Sequence, residues 1–163
     1  MDKSIIKNKF ILTVKEKNAI EKEKKKYELA RAASIEALKI VQDSHGWVPD
    51  DAIYAIAKIL QIPSTEVEEV ATFYSQIFRQ PVGRHIIQYC DSSVCYINGY
   101  KKIQETIENK LKIKPGQTTY DKKFTLLPIC CLGNCDKSPT LMIDKKTYGN
   151  VTPKNIIKIL EQY

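Results

Sequence analysis

Two pairs of cysteines, Cys90-x4-Cys95 and Cys131-x3-Cys135, lie far apart along the chain, so a fold that uses them together must bring two remote loops to one point. Thiolates are soft ligands that favour zinc or iron–sulfur clusters, and ligand pairs on separate loops can fix a four-thiolate shell from both sides. The chain has 163 residues and five cysteines, so four ligands leave one bystander. Adjacent Cys130 and Cys131 cannot both face one metal from an extended strand end; we read Cys131 as the ligand and Cys130 as a small buried hydrophobe. Neither pair has the C-x-x-C spacing of a dithiol oxidoreductase. Structural zinc sites commonly space paired ligands by about two to four residues, so spacing alone leaves zinc and iron–sulfur both open.

A hydrophobic fraction of 43% suits a globular chain with a core and excludes disorder throughout. No stretch approaches the ~20 apolar residues of a membrane span, and the start lacks the apolar run of a signal peptide. These features predict a cytoplasmic protein, and in a reducing compartment five cysteines read as metal or redox chemistry before a disulfide framework. The net charge is +7, and up to Lys26 nine lysines face only four acids. That surplus reads as a solvated, lysine-rich tail and first helix, with contact to an acidic partner as the alternative. The stretch Asp51 to Phe78 resembles two helices joined by a short turn, as in DNA-binding motifs. Its second helix opens with Glu66, Glu68 and Glu69, which would meet phosphates with like charge and argue against nucleic acid.

Residues 1–14 mix Lys, Ile and Asn without period and read as a basic, loosely ordered arm. Residues 15–80 read as a helical bundle. One helix is expected over Glu16 to Tyr27 and a second over Arg31 to Asp43, with Ala33, Ala37, Ile40 and Val41 as its apolar stripe. Gly46 breaks the run, and Pro49-Asp50-Asp51 opens a third helix that buries Ile53, Ile56, Ala57 and Leu60. Thr65 and Glu68 suggest a capping box for a fourth. Residues 84–163 read as an α/β unit of order β-α-β-β-α. His85 to Tyr89 is a strand delivering Cys90, Gly99 to Leu111 a helix, and Phe124 to Ile129 a strand running into Cys130 and Cys131. Leu141 to Ile143 and Tyr148 to Val151 form a hairpin, and Thr152-Pro153 starts a last helix. Both cysteine pairs thus follow strand ends. Gly99, Gly133 and a helix N-terminus after Cys95 are candidate sources of backbone N–H groups for a negatively charged cluster, with Lys101 and Lys102 adding positive field. His45 and His85 read as packing or surface residues, and Trp47, Tyr54 and Tyr74 as bundle core or interface.

The segments Cys90-Asp-Ser-Ser-Val-Cys95 and Leu127-Pro-Ile-Cys-Cys131-Leu-Gly-Asn-Cys135-Asp-Lys, with Gly46-Trp47-Val48-Pro49 and Ala71-Thr72-Phe73-Tyr74, resemble the E subunit family of bacterial NADH-quinone oxidoreductase, respiratory complex I. The resemblance runs from about Leu29 to Tyr163. It implies an α+β chain, an N-terminal helical bundle followed by a thioredoxin-like α/β [2Fe-2S] ferredoxin domain, with one [2Fe-2S] cluster held by Cys90, Cys95, Cys131 and Cys135. It implies an electron-transfer role in the NADH-oxidising peripheral arm, exchanging one electron with the FMN of a neighbouring flavoprotein subunit that binds NADH. It places the chain on the cytoplasmic side of the inner membrane through the complex, without direct insertion. No glycine-rich dinucleotide fingerprint is present, so NADH belongs to that partner. The equivalent subunit of an NAD-linked hydrogenase or formate dehydrogenase carries the same motif, and a zinc-stabilised interaction module remains the reading from another class. Thioredoxin-like folds often hold a cis proline where Pro139 falls.

Overall fold

A computed structural model of the chain describes residues 10–163. It divides into two compact units, the first ending at Pro81 and the second covering Val82–Tyr163. The first unit is helical: α1 (Val14–Lys24), a 3₁₀ turn (Ala30–Ala33), α2 (Ser34–His45), α3 (Asp50–Leu60) and α4 (Ser64–Phe73). Its core gathers Ile20, Leu38, Val41, Ile56, Leu60 and Val67, all fully or almost fully buried. Each such aliphatic side chain contributes about 1.5–3 kcal/mol relative to exposure.

The first nine residues of the expected basic arm lie outside the described residues, and its other end is not loose. Leu12 is buried, Phe10 packs on the core, and Thr13 caps α1. The Glu16 carboxylate accepts from the Thr13 N–H at 2.6 Å and the Thr13 hydroxyl at 2.7 Å, while His45 Nε2 lies 2.7 Å from its other oxygen. Burial of Glu16 opposes its ionisation, but the Thr13 and His45 contacts outweigh it and hold the carboxyl below its ordinary range. His45 is thereby a partner for a buried carboxylate.

The capping box expected at Thr65 and Glu68 is absent. Pro63 occupies the cap position, α4 has begun by Ser64, and the Glu68 carboxylate is engaged by Arg79 Nη2 at 2.9 Å. A proline's fixed φ starts the helix without a side-chain cap. Tyr54 and Tyr74 are exposed, so they serve no core role.

The second unit contains β1 (His85–Cys90), α5 (Ser93–Ile97), α6 (Tyr100–Leu111), β2 (Phe124–Ile129), a 3₁₀ turn (Cys135–Lys137), β3 (Leu141–Ile143), β4 (Lys146–Tyr148) and α7 (Pro153–Leu160). The sheet order is β2-β1-β3-β4, with β1 and β2 parallel and the other pairs antiparallel. The α5–α6 connection supplies the crossover that parallel strands require. Ile87, Leu126 and Ile143 from the sheet meet Ile103 and Ile107 of α6 and Ile156 and Leu160 of α7 in one core. The hairpin strand begins two residues earlier than its pattern suggested, because Asp144 at φ 54° turns the chain at once and pairs Ile143 with Lys146. Thr152 caps α7 with a box completed by Asn155. The Ser138–Pro139 peptide is cis, in agreement with the expectation from the sequence.

The register decides where the cysteines go. Cys90 lies beside Ile129 across the parallel pair, so the chains leaving β1 and β2 emerge at one edge. Antiparallel β3 enters at that same edge: Tyr89 pairs with Leu141, and the Cys90 N–H donates to the Thr140 carbonyl at 3.1 Å.

Candidate iron–sulfur centre

Cys90 ends β1 and Cys95 sits within α5, and both are buried. Cys131 lies in the irregular segment after β2, Cys135 opens the 3₁₀ turn that follows, and both are exposed. None of the five cysteines is paired in a disulfide. Cys130 is exposed too, which corrects the expectation of a buried hydrophobe. The regular strand ends at Ile129, so Cys130 has already left the sheet face that would have covered it. Its carbonyl faces Cys90, whose Sγ lies 3.8 Å away.

The thiols meet as two pairs. Cys90 lies near enough to Cys95, and Cys131 near enough to Cys135, to oppose ionisation of the second thiol, and Cys90 adds to the effect on Cys135. Burial pushes the Cys95 thiol up to about 11; the Thr140 backbone N–H pulls the other way, and Cys90 and Cys135 add to the rise. Cys135 is raised chiefly by Cys131, through a hydrogen bond and then its charge. Sulfurs that oppose one another's ionisation become thiolates together only beside a strong positive charge, which bound metal supplies.

Among the described residues, no three or more His, Cys, Asp or Glu side chains converge as the shell of a single ion. A two-iron cluster asks for something else, two thiolates on each of two irons, and two separate thiol pairs fit that donor set. Backbone donors are present as well. Gly133, at φ 71°, turns its N–H onto Cys131 Sγ at 3.3 Å, a left-handed conformation that glycine adopts freely. Gly99, the other glycine expected to donate, instead gives its N–H to the Tyr96 carbonyl at 3.0 Å and caps α6 at positive φ. Lys101 lies over the Tyr96 ring at 5.1 Å. His85 pairs with Asp144 at 2.9 Å at the start of β1, the end away from Cys90.

Two residues that sequence reading passed over brace the second loop. The buried Thr140 hydroxyl lies 3.2 Å from the carbonyl oxygens of both Asn134 and Lys137. Gly149 packs so closely that a Cβ there would stand 2.6 Å from Lys137 Cβ and 3.0 Å from Asn134 Nδ2. A threonine and a glycine in loops carry no distinguishing sequence pattern; only the folded contacts single them out.

Residues 20–163 match the model of the thioredoxin-like [2Fe-2S] ferredoxin family. The chain belongs to that family. It is 65% identical over 154 residues to the E subunit of NADH-quinone oxidoreductase from Escherichia coli strain K12, covering 94% of this chain and 93% of that protein. The E subunit from Pseudomonas aeruginosa is 60% identical, with 96% and 94% covered. Among solved structures, an air-oxidised NAD+-reducing [NiFe]-hydrogenase superposes with a TM-score of 0.64 at 22% identity, covering 82% of this chain and 22% of that one. That likeness is one of fold. Family membership favours a [2Fe-2S] cluster over zinc, and among the described residues no helix is long and apolar enough to cross a membrane.

Proposed function

We propose that this chain is the electron-carrying E subunit of an NADH-quinone oxidoreductase, with Cys90, Cys95, Cys131 and Cys135 as the four ligands of one [2Fe-2S] cluster. The reading is carried by the strand register, which makes β1 end at Cys90 beside the end of β2, where the segment with Cys131 and Cys135 begins, in a chain of the thioredoxin-like [2Fe-2S] ferredoxin family. When bound, the cluster supplies a site that takes up and returns one electron. The chain's own residues do the rest. Cys90 and Cys95 hold their half in the buried interior, and Cys131 and Cys135 hold theirs near the surface. The Gly133 N–H offsets negative charge on Cys131, and donors of this kind favour the more negative, reduced state and raise the potential.

An electron carrier needs a partner to exchange electrons with, and in this reading the partner is the FMN- and NADH-binding subunit of the peripheral arm. Exposed Val94, Tyr96 and Ile97 around Cys95 support a face made to be covered. The complex then holds the chain peripherally on the cytoplasmic side of the membrane.

Metal and acid-labile sulfide analysis of anaerobically purified protein, followed by EPR after dithionite reduction, tests the reading. Two irons, two sulfides and one S = 1/2 signal per chain are expected. One colourless, EPR-silent zinc would leave an interaction module and end the electron-transfer proposal.

A further inference from the structure

Thr140 joins the two cysteine loops with a separate backbone or side-chain group for each. Its carbonyl accepts the Cys90 N–H at 3.1 Å, anchoring the point where β1 ends and the first loop begins. Its hydroxyl lies 3.2 Å from Asn134 O and 3.2 Å from Lys137 O, the carbonyls that bracket Cys135 in the second loop. The Asn134 side-chain amide reaches back to the same hydroxyl at 3.4 Å. Each carbonyl also takes a backbone N–H, Lys137 O that of Asn150 at 2.6 Å and Asn134 O that of Lys137 at 3.1 Å, so the Thr140 hydroxyl ties together a turn whose ends are already hydrogen-bonded. The residue is only 4% exposed. Water is therefore a poor substitute for the hydroxyl, and losing it removes the one side-chain group that links β3 to both ends of the turn.

We propose that Thr140 is the positioning residue that sets the separation of the two thiol pairs, its hydroxyl fixing the turn that carries Cys135 while its backbone fixes the exit of Cys90. The proposal rests on the [2Fe-2S] reading above. Valine at this position keeps the shape and the backbone bond from the Cys90 N–H but removes the hydroxyl, freeing the second loop alone. Serine keeps the hydroxyl. Thr125 provides the control: it is equally buried, and its hydroxyl takes the Gly83 N–H at 2.6 Å, but it lies near the start of β2, away from the cysteines.

The experiment compares anaerobically purified, cluster-loaded full-length wild type, Thr140→Val, Thr140→Ser and Thr125→Val. The readouts are iron release to a chelator, midpoint potential by EPR-monitored titration, and thermal melting. Thr140→Val is expected to release iron on the order of 10–100-fold faster than wild type, the range for lost outer-shell support, with a shifted potential. Thr140→Ser should restore both, and Thr125→Val should lower the melting temperature alone. Release and potential in Thr140→Val that match wild type or Thr125→Val would overturn the proposal, as would a Thr140→Ser variant as labile as Thr140→Val. If Thr140→Val does not fold, the serine variant still decides, because wild-type values are required of it. A wild type lacking two irons per chain would instead count against the underlying reading.

Discussion

The first cysteine loop is built from regular structure: Cys90 is the last residue of a central strand, Cys95 lies inside a short helix, and both are buried. The second loop hangs from the end of β2 with no regular structure beyond one short 3₁₀ turn, and Cys131 and Cys135 are exposed. Its shape depends on individual contacts, the Gly133 N–H on Cys131, the Thr140 hydroxyl on Asn134 and Lys137, and the close packing of Gly149. Strand pairing and helix geometry repeat over many residues and tolerate single changes, whereas a loop held by a few side-chain bonds fails when one goes. The second loop is thus the half whose non-cysteine residues matter most.

Replacing a ligand in either loop should have the largest effect. Cys95→Ser and Cys135→Ser are each expected to lose most of their iron and sulfide, because a hydroxyl is a harder and far less acidic ligand. Cys130→Ser should keep the full complement, and in loaded wild type Cys130 should be the one thiol that alkylates readily. Equal iron loss in all three variants would refute the ligand assignment.

Gly149→Ala strikes the second loop without touching a ligand. Its Cβ would meet Lys137 Cβ at 2.6 Å, and overpacking of this kind costs about 1–3 kcal/mol. A lower melting temperature together with faster iron release is expected, and a variant as stable as wild type would show that the loop yields easily.

Acid should act on the helical unit by a route of its own. The Glu16 carboxyl is held below its ordinary range, so the stability it contributes is present above the unfolded value of about 4.3 and is lost as pH falls through the lower folded value. Thermal melts of wild type against Glu16→Gln across this window should converge at low pH. A gap that stays constant with pH would remove Glu16 as the source of the acid sensitivity.

The smallest effect is expected at Asn98, whose side-chain amide reaches Val94 O at 3.0 Å and Ser138 Oγ at 2.6 Å on the surface. Asn98→Ala should cost about 0.5–1.5 kcal/mol in melts and leave iron content unchanged. If it matched Gly149→Ala, the contrast between the loops would be lost.

Much of this fold was legible because periodic patterns report local structure. The apolar spacing of Ile103 and Ile107 marked α6, and Phe124 to Ile129 announced β2 with its observed bounds. The failures share a cause in competition from distant residues. Glu68 bonds Arg79 instead of capping α4, and Leu12 and Phe10 find a core that short-range pattern could not reveal. Cys130 is exposed because its surroundings depend on where β2 stops pairing.

By itself the sequence determined the helix and strand elements and the soft, four-thiol donor chemistry, since propensity, capping and ligand type belong to residues and their near neighbours. Only the tertiary structure decided that Cys90, Ile129 and Thr140 share one sheet edge and that Thr140 and Gly149 brace the second loop. Strand pairing and close packing join residues remote in the chain, and no local pattern encodes which remote partner wins.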